Sequence, residues 1–206
     1  MEIYPSDGQL QFLNLRRITF SRETCLVAGT ASQGLSYRER DGLLLPIARK
    51  LFSPSNMPNL RHLAINKECS DFATTLAPIL HQITTLAIRI GDESAAEVIA
   101  DHHTFDNLKH LSLDGFETVV ETFLGHNNVT LESLHLSSWM VSDEESLARL
   151  LKIAKGEDSH NRIGRIVIYG SRKSIEPEFD GPTDDLDAFE WREDRDYPPF
   201  EDFNGR

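Results

Sequence analysis

A short apolar motif recurs six times in this chain and constrains its fold more than any other feature. The motif has apolar residues at its first, fourth and sixth positions. Its copies begin at Leu15, Leu60, Ile83, Leu108, Leu131 and Ile163. The starts are 45, 23, 25, 23 and 32 residues apart. One copy would mean little because leucine is common, but six near-regular copies indicate repeats of about 20 to 30 residues.

Between the copies, the apolar spacing changes from strand-like to helix-like. Leu147, Leu150, Leu151 and Ala154 are three or four residues apart, as the buried stripe of a helix requires, and Gly156 follows as a stop signal. The segments 44–51, 72–80, 95–100 and 119–124 show similar spacing. The alternation of strand motif and helical stripe predicts a stack of parallel β–α units.

This alternation resembles the leucine-rich-repeat proteins, in particular irregular repeats of the ribonuclease-inhibitor-like kind. The resemblance covers about residues 10–170 and implies an α/β solenoid with a curved parallel sheet and helices on its convex side. We therefore expect a leucine-rich-repeat domain over residues 1–173, with about six repeats and an insertion at about 22–45. Repeats of that family usually have Asn or Cys at the ninth position, whereas the copies in this chain have other residues there. Because no Asn ladder is present, we expect individually built turns, with Trp139 filling the core.

Charge is concentrated at the C-terminal end of the chain. The 206 residues include 21 Lys or Arg and 33 Asp or Glu, for a net charge of −12. Residues 174–206 hold 3 of these bases and 12 of the acids, a net charge of −9. This composition predicts a disordered tail. Its aromatic residues also fit a cap on the end of the repeats or a docking segment, whose contacts would be Trp191, Tyr197 and Phe200.

The third, fifth and seventh motif positions point away from the leucines and predict an open concave face. The candidate binding residues on this face are Arg17, His62, Asn66, Arg89, His110, Asp114, His135, Arg165 and Tyr169. The face is mildly basic, and solenoids commonly bind partners on their concave side, so we expect it to dock an acidic or polar peptide segment or the chain's own acidic tail. Strands are ~4.8 Å apart, which places His110 and His135 close together.

Enzymatic chemistry is not indicated. The sequence has no nucleophile elbow, P-loop, zinc-protease motif or dinucleotide fingerprint. His102 and His103 are adjacent, so they point in different directions, and no Cys and His set with ligand spacing accompanies them. We therefore predict a non-enzymatic protein with no metal and no cofactor.

The sequence also limits the class of partner and the cellular compartment that we expect. The negative net charge argues against nucleic acid. No apolar run reaches the ~18 residues of a membrane span, and the first residues do not resemble a signal peptide. Cys25 and Cys69 are expected to be reduced thiols. These features predict a monomeric cytoplasmic or nuclear protein whose partner is a protein.

The degenerate repeats are similar to the recognition region of fungal F-box/leucine-rich-repeat proteins. That resemblance implies substrate recognition in ubiquitin ligation. Members of that group have an F-box before the repeats, and it recruits a Skp-type adaptor. Only fourteen residues precede the first motif here, so we expect that adaptor only if an F-box is supplied elsewhere. The alternative is a scaffold or regulator that binds through its acidic tail.

Overall fold

The computed structural model of the protein describes nine segments of the chain. They are residues 12–20, 51–66, 70–89, 107–114, 120, 123–124, 129–141, 144–175 and 183–193. The expected insertion at about 22–45 and the helical segment 95–100 lie outside them.

Most of the described strands belong to one parallel sheet. In chain order, the strands are β1 (Arg17–Phe20), β2 (His62–Asn66), β3 (Thr85–Arg89), β4 (His110–Asp114), β5 (Thr130–Leu131), β6 (Ser133–Ser137), β7 (Arg162–Ile163), β8 (Ile166–Tyr169) and β9 (Glu190–Arg192). The main sheet has the order β1-β2-β3-β4-β6-β8-β9, and every pair in it is parallel. Strands β5 and β7 form a separate parallel pair.

Helices connect some of these strands. They are α1 (Ser70–Leu80), α2 (Glu144–Ala154) and α3 (Arg172–Ile175), with 3-10 helices at Ser138–Val141 and Thr183–Ala188. None of the helices in the described segments is long and apolar enough to cross a membrane. Parallel strands joined by helices confirm the predicted α/β class.

The repeated motif places equivalent residues side by side. Its fourth positions, Ile18, Leu63, Leu86, Leu111 and Leu134, pair in register from β1 to β6. The four leucines are at most 2% exposed. Burying a leucine side chain contributes about 1.5–3 kcal/mol, so this row is a main source of stability and fixes the register.

The sequence prediction for α2 is confirmed. Leu147, Leu150 and Leu151 are buried along one side of this helix. Gly156 ends it with φ of 72°, where its N–H donates to Ile153 O and the Glu157 N–H donates to the carbonyl of Lys152. This pair of hydrogen bonds is a Schellman cap, which requires a left-handed residue that glycine adopts without strain.

Part of the segment assigned to the acidic tail extends the main sheet. Strand β9 pairs in parallel with β8. Leu186 and Phe189, just before β9, are buried in the core. Trp191 packs against the same core, and its indole N–H donates to Leu186 O at 2.9 Å. The remaining tail residues, 176–182 and 194–206, lie outside the described segments.

The expectation that Trp139 fills the core was wrong, because its side chain is 50% exposed. It lies in the 3-10 helix that follows β6. Met140 and Val141 of that helix are fully buried and occupy its core-facing side. A single turn of 3-10 helix has only one side to bury, so Trp139 points outward.

Candidate functional site

Strand register brings the predicted binding residues together on one face of the sheet, in two rows with His135 between them. The third-position row begins with Arg17 beside His62, and His110 lies further along it. The seventh-position row contains Asn66, Arg89 and Asp114 on adjacent strands, then Tyr169 beside Arg192. Asn66 and Arg89 are placed by their backbone register only.

The prediction that this face is open was wrong for most of its positions. The fifth-position residues Ala64, Ala87, Ser112, His135 and Val167 are all at most 5% exposed, whereas Thr19 on the first strand is exposed. Asp114, Ser137 and Tyr169 at the seventh position are also buried. Parallel sheets are commonly buried on both faces, and small side chains between longer neighbours have little area left to expose.

The accessible part of the face lies at the amino ends of the strands. Arg17 and His62 are partly exposed there. The side chain of His110 is 34% exposed, and that of Arg165 is 50% exposed. Four of the predicted binding residues are therefore available to a partner at this end of the face.

A chain of polar contacts crosses the buried part of the face from β8 to β4. The Tyr169 hydroxyl is 3.1 Å from His135 Nδ1, and His135 Nε2 is 3.0 Å from Ser133 Oγ. The same serine oxygen is 2.9 Å from His110 Nδ1. His110 Nε2 then faces Glu132 Oε2 at 3.7 Å. The expected proximity of His110 and His135 is confirmed, because both contact Ser133.

An ionised Glu132 favours one direction for the donors in this chain. A hydrogen bond from Lys109 Nζ, 2.6 Å away, together with its charge holds the pKa of Glu132 below its usual range, so this carboxylate accepts. With Nε2–H turned toward this carboxylate, 3.7 Å away and too far for a hydrogen bond, a neutral His110 accepts at Nδ1 from the Ser133 hydroxyl. Ser133 has a single proton, so its oxygen accepts from His135 Nε2–H. His135 Nδ1 consequently accepts from Tyr169.

The histidines along this face are biased toward the neutral form. Burial, followed by the charges of Arg165 and Arg192, lowers the pKa of His135 to about 4. Burial is also the main cause of the lowered pKa values of His62 and His110. Burial disfavours the charged imidazolium, which agrees with the donor direction above.

Strand β9 adds charged groups to this site that sequence reasoning missed. Glu190 accepts a hydrogen bond from Arg192 Nε at 2.9 Å and lies 3.4 Å from an Arg165 nitrogen. The Arg192 guanidinium lies 5.9 Å from the centre of the Tyr169 ring, and that ring stacks on His135. Strand β9 lacks the leucine motif. Its only sequence signal is the apolar Trp191 between two charged residues, the period-two pattern of a short strand.

The other predicted site residues have a different placement. Trp191 belongs to the core contacts of β9, whereas Tyr197 and Phe200 lie outside the described segments. Within the described part of the chain, no group of three or more His, Cys, Asp or Glu residues is arranged to hold a metal ion.

No family model, no curated protein and no solved structure matches this chain.

Proposed function

We propose that this chain is a leucine-rich-repeat solenoid that binds another protein, without enzymatic activity, through the sheet face that bears the two rows. The observation that supports this most is the in-register row of third-position residues. Arg17, His62 and His110 occupy equivalent places on parallel strands, while Leu63 and Leu111 beside the two histidines are buried. Core packing does not demand these polar residues, and solenoids commonly use such a surface for binding.

The solenoid part of the proposal is supported by strand order. In the main sheet, each strand pairs with the strands that precede and follow it in that sheet along the chain. All of these pairs are parallel, and each motif copy contributes one strand to this main sheet. Stacked repeats that contact only their neighbours have this arrangement.

Binding also fits the Ser133 contacts better than catalysis does. A serine beside a histidine and a glutamate is a common hydrolase arrangement. Here, however, Ser133 is 2% exposed, so a substrate has little access to its oxygen, which also contacts His135 Nε2 at 3.0 Å. Glu132 is 58% exposed, so it is poorly held for orienting a catalytic base.

The alternative of docking through the tail has less support from the described residues. Trp191 is one of its three predicted contacts, yet this side chain packs on the core and donates its indole N–H to Leu186. Using it for a partner would disrupt the last strand of the sheet.

For the cellular process, we propose substrate recognition in ubiquitin ligation, in the cytoplasm or nucleus. This proposal is supported by the repeat pattern, through its resemblance to F-box/leucine-rich-repeat proteins. A Skp-type adaptor enters only with an F-box that is supplied elsewhere.

The test is quantitative affinity purification of the tagged full chain from its source cells, compared with R17A/R165A. A protein partner that binds through the face should be depleted about tenfold or more by this variant, since each hot-spot residue contributes at least 1–2 kcal/mol. Lys152→Ala, an exposed cation on α2, is the control and should retain the partner. An unchanged set of captured proteins would refute the use of this face. Selective loss in Tyr197→Ala/Phe200→Ala, which leaves Trp191 and the core intact, would support the tail instead.

A further inference from the structure

We propose that the partner of this face presents an acidic peptide segment, which binds in extended form along the amino ends of the strands. This inference rests on the proposed protein-binding function and identifies the chemistry of the partner. The surface concerned, the amino edge, consists of the residues at motif positions two and three. Its charged members are Arg16, Arg17, Arg61, Lys109, Glu132 and Arg165.

Backbone hydrogen bonds hold the residues at motif position two in register on neighbouring strands, just as they hold the strand residues. The carbonyl of Arg16 accepts from the N–H groups of Arg61 and His62, both at 3.0 Å. The carbonyl of Arg61 accepts in the same way from Thr84 and Thr85. The pattern continues through Lys109, whose carbonyl accepts from the next strand. The side chains of this row are therefore one strand spacing apart.

The amino edge is positive although the protein is acidic. Motif positions two and three hold five cations and one acid, a net charge of +4, on a chain whose net charge is −12. Glu190, 3.4 Å from Arg165, is also paired with Arg192, so these two β9 residues add no net charge. His62 and His110, which belong to the amino edge, are favoured as neutral by burial. A local field opposite in sign to the whole protein attracts an acidic segment and orients it during encounter.

The cations of this edge remain accessible or are held in place. The Lys109 side chain is 57% exposed, and Arg16 is exposed. Arg61 donates from one guanidinium nitrogen to the carbonyls of Pro58 and Leu60 at 3.0 and 2.8 Å. Carbonyl partners orient this guanidinium without neutralising its charge, so Arg61 is pre-organised to meet a carboxylate.

The spacing fits a short extended peptide. From β1 to β8, the edge crosses five strand intervals, or about 24 Å. An extended chain covers that length with about seven residues. Carboxylates one to three residues apart in such a peptide would meet Arg16, Arg61, Lys109 and Arg165 in turn, because Arg16 and Arg61 are one strand interval apart and the later pairs are two.

A peptide fits this surface better than a nucleic acid does. A polyphosphate strand brings a dense negative charge close to a protein that is itself strongly negative. Single-stranded nucleic acid also relies on aromatic side chains for base stacking, and the second and third motif positions contain no Phe, Tyr or Trp.

The test uses the full chain and a fluorescein-labelled octaglutamate peptide, with binding followed by fluorescence anisotropy at low salt. The edge variant is R16E/K109E. The control is K152E/K155E, in α2 and directly after it, which changes the net charge by the same amount. The two variants are matched because each also breaks one exposed ion pair, Lys109–Glu132 in the first and Lys155–Asp185 in the second.

We expect the edge variant to weaken octaglutamate binding about tenfold or more, and the control to weaken it less than about threefold. Glu132→Gln, which removes the one acid of the edge, should tighten binding about twofold to threefold. This gain of affinity cannot be produced by a misfolded variant. Circular dichroism should show that all variants keep the wild-type thermal unfolding curve.

Three results would overturn the inference. They are no binding of octaglutamate, an equal loss in both double variants, or tighter binding of an eight-nucleotide oligothymidine. Failure of the acidic-peptide inference is distinguishable from failure of the proposed protein-binding function. If octaglutamate does not compete with a captured partner that still depends on Arg17 and Arg165, the acidic chemistry is wrong and the protein-binding function stands.

Discussion

Replacement of His135 with Gln should flatten the dependence of stability on pH. His135 is 5% exposed, and its pKa is lowered from 6.5 to about 4. Its depressed pKa means that the unfolded chain binds a proton more readily than the folded protein does. The contribution of His135 is therefore complete above pH 6.5 and is lost as the pH falls toward 4.

The size of this effect follows from the two pKa values. Proton linkage gives a loss in the free energy of unfolding of about 2 kcal/mol at pH 5 and about 3 kcal/mol at pH 4. At pH 7, His135→Gln should cost about 1–3 kcal/mol, because the bonds to Ser133 and Tyr169 are broken in a buried site. The free energies of unfolding of the wild type and of His135→Gln, plotted against pH, should therefore converge near pH 5.

The assay is urea unfolding at several pH values between 7 and 4.5 for the wild type, His135→Gln and a control, His160→Gln. His160 has a 75% exposed side chain, and its variant should parallel the wild type. Nitrogen-15 chemical shifts at pH 7 should place the proton of both His110 and His135 on Nε2. Equal losses of stability in the wild type and His135→Gln between pH 7 and pH 5 would refute the reasoning.

Three further substitutions test the packing around this site. For each one, chemical denaturation at pH 7 measures the change in the free energy of unfolding. Tyr169→Phe leaves a buried acceptor on His135 and should cost about 1–3 kcal/mol; a neutral result would contradict the buried hydrogen bond. Leu134→Ala, at a fully buried position, should cost about 2.7–5 kcal/mol, and a loss under 1 kcal/mol would contradict its place in the core. Gly170→Ala should be strongly destabilising because its backbone has φ of 143° and its Cβ would lie 2.1 Å from Ser138 Oγ. Adding Ser138→Gly should recover part of that loss, and no recovery would mean that backbone strain alone is responsible.

The framework of the fold could be predicted from the sequence because it depends on local patterns. The motif leucines identify the strands, and their in-register burial follows from one repeated spacing. The stripe from Leu147 to Leu151 and the glycine at 156 identify α2 and its end. Each of these signals lies within a dozen residues of sequence.

The organisation of the candidate site could not be predicted in the same way. Period-two alternation shows that His135 and Tyr169 share a face, but not that the face is buried. Their contact joins residues 34 positions apart and depends on the β6–β8 register. Strand β9 has no leucine motif, and its acidic surroundings favoured a tail, although burial of Leu186 and Phe189 outweighs that composition.

The agreement between strand order and chain order has a consequence for biosynthesis. Each strand of the main sheet after β1 emerges from the ribosome when its partner on one side has already been made. The starts of β3 and β4, like those of β4 and β6, are separated by about 25 residues or fewer, which takes about one to five seconds at cellular elongation rates. The sheet can thus grow at a single edge during translation. Throughout that time the newest strand exposes unpaired backbone groups, and it is the place where a nascent chain is most open to aggregation or to a chaperone.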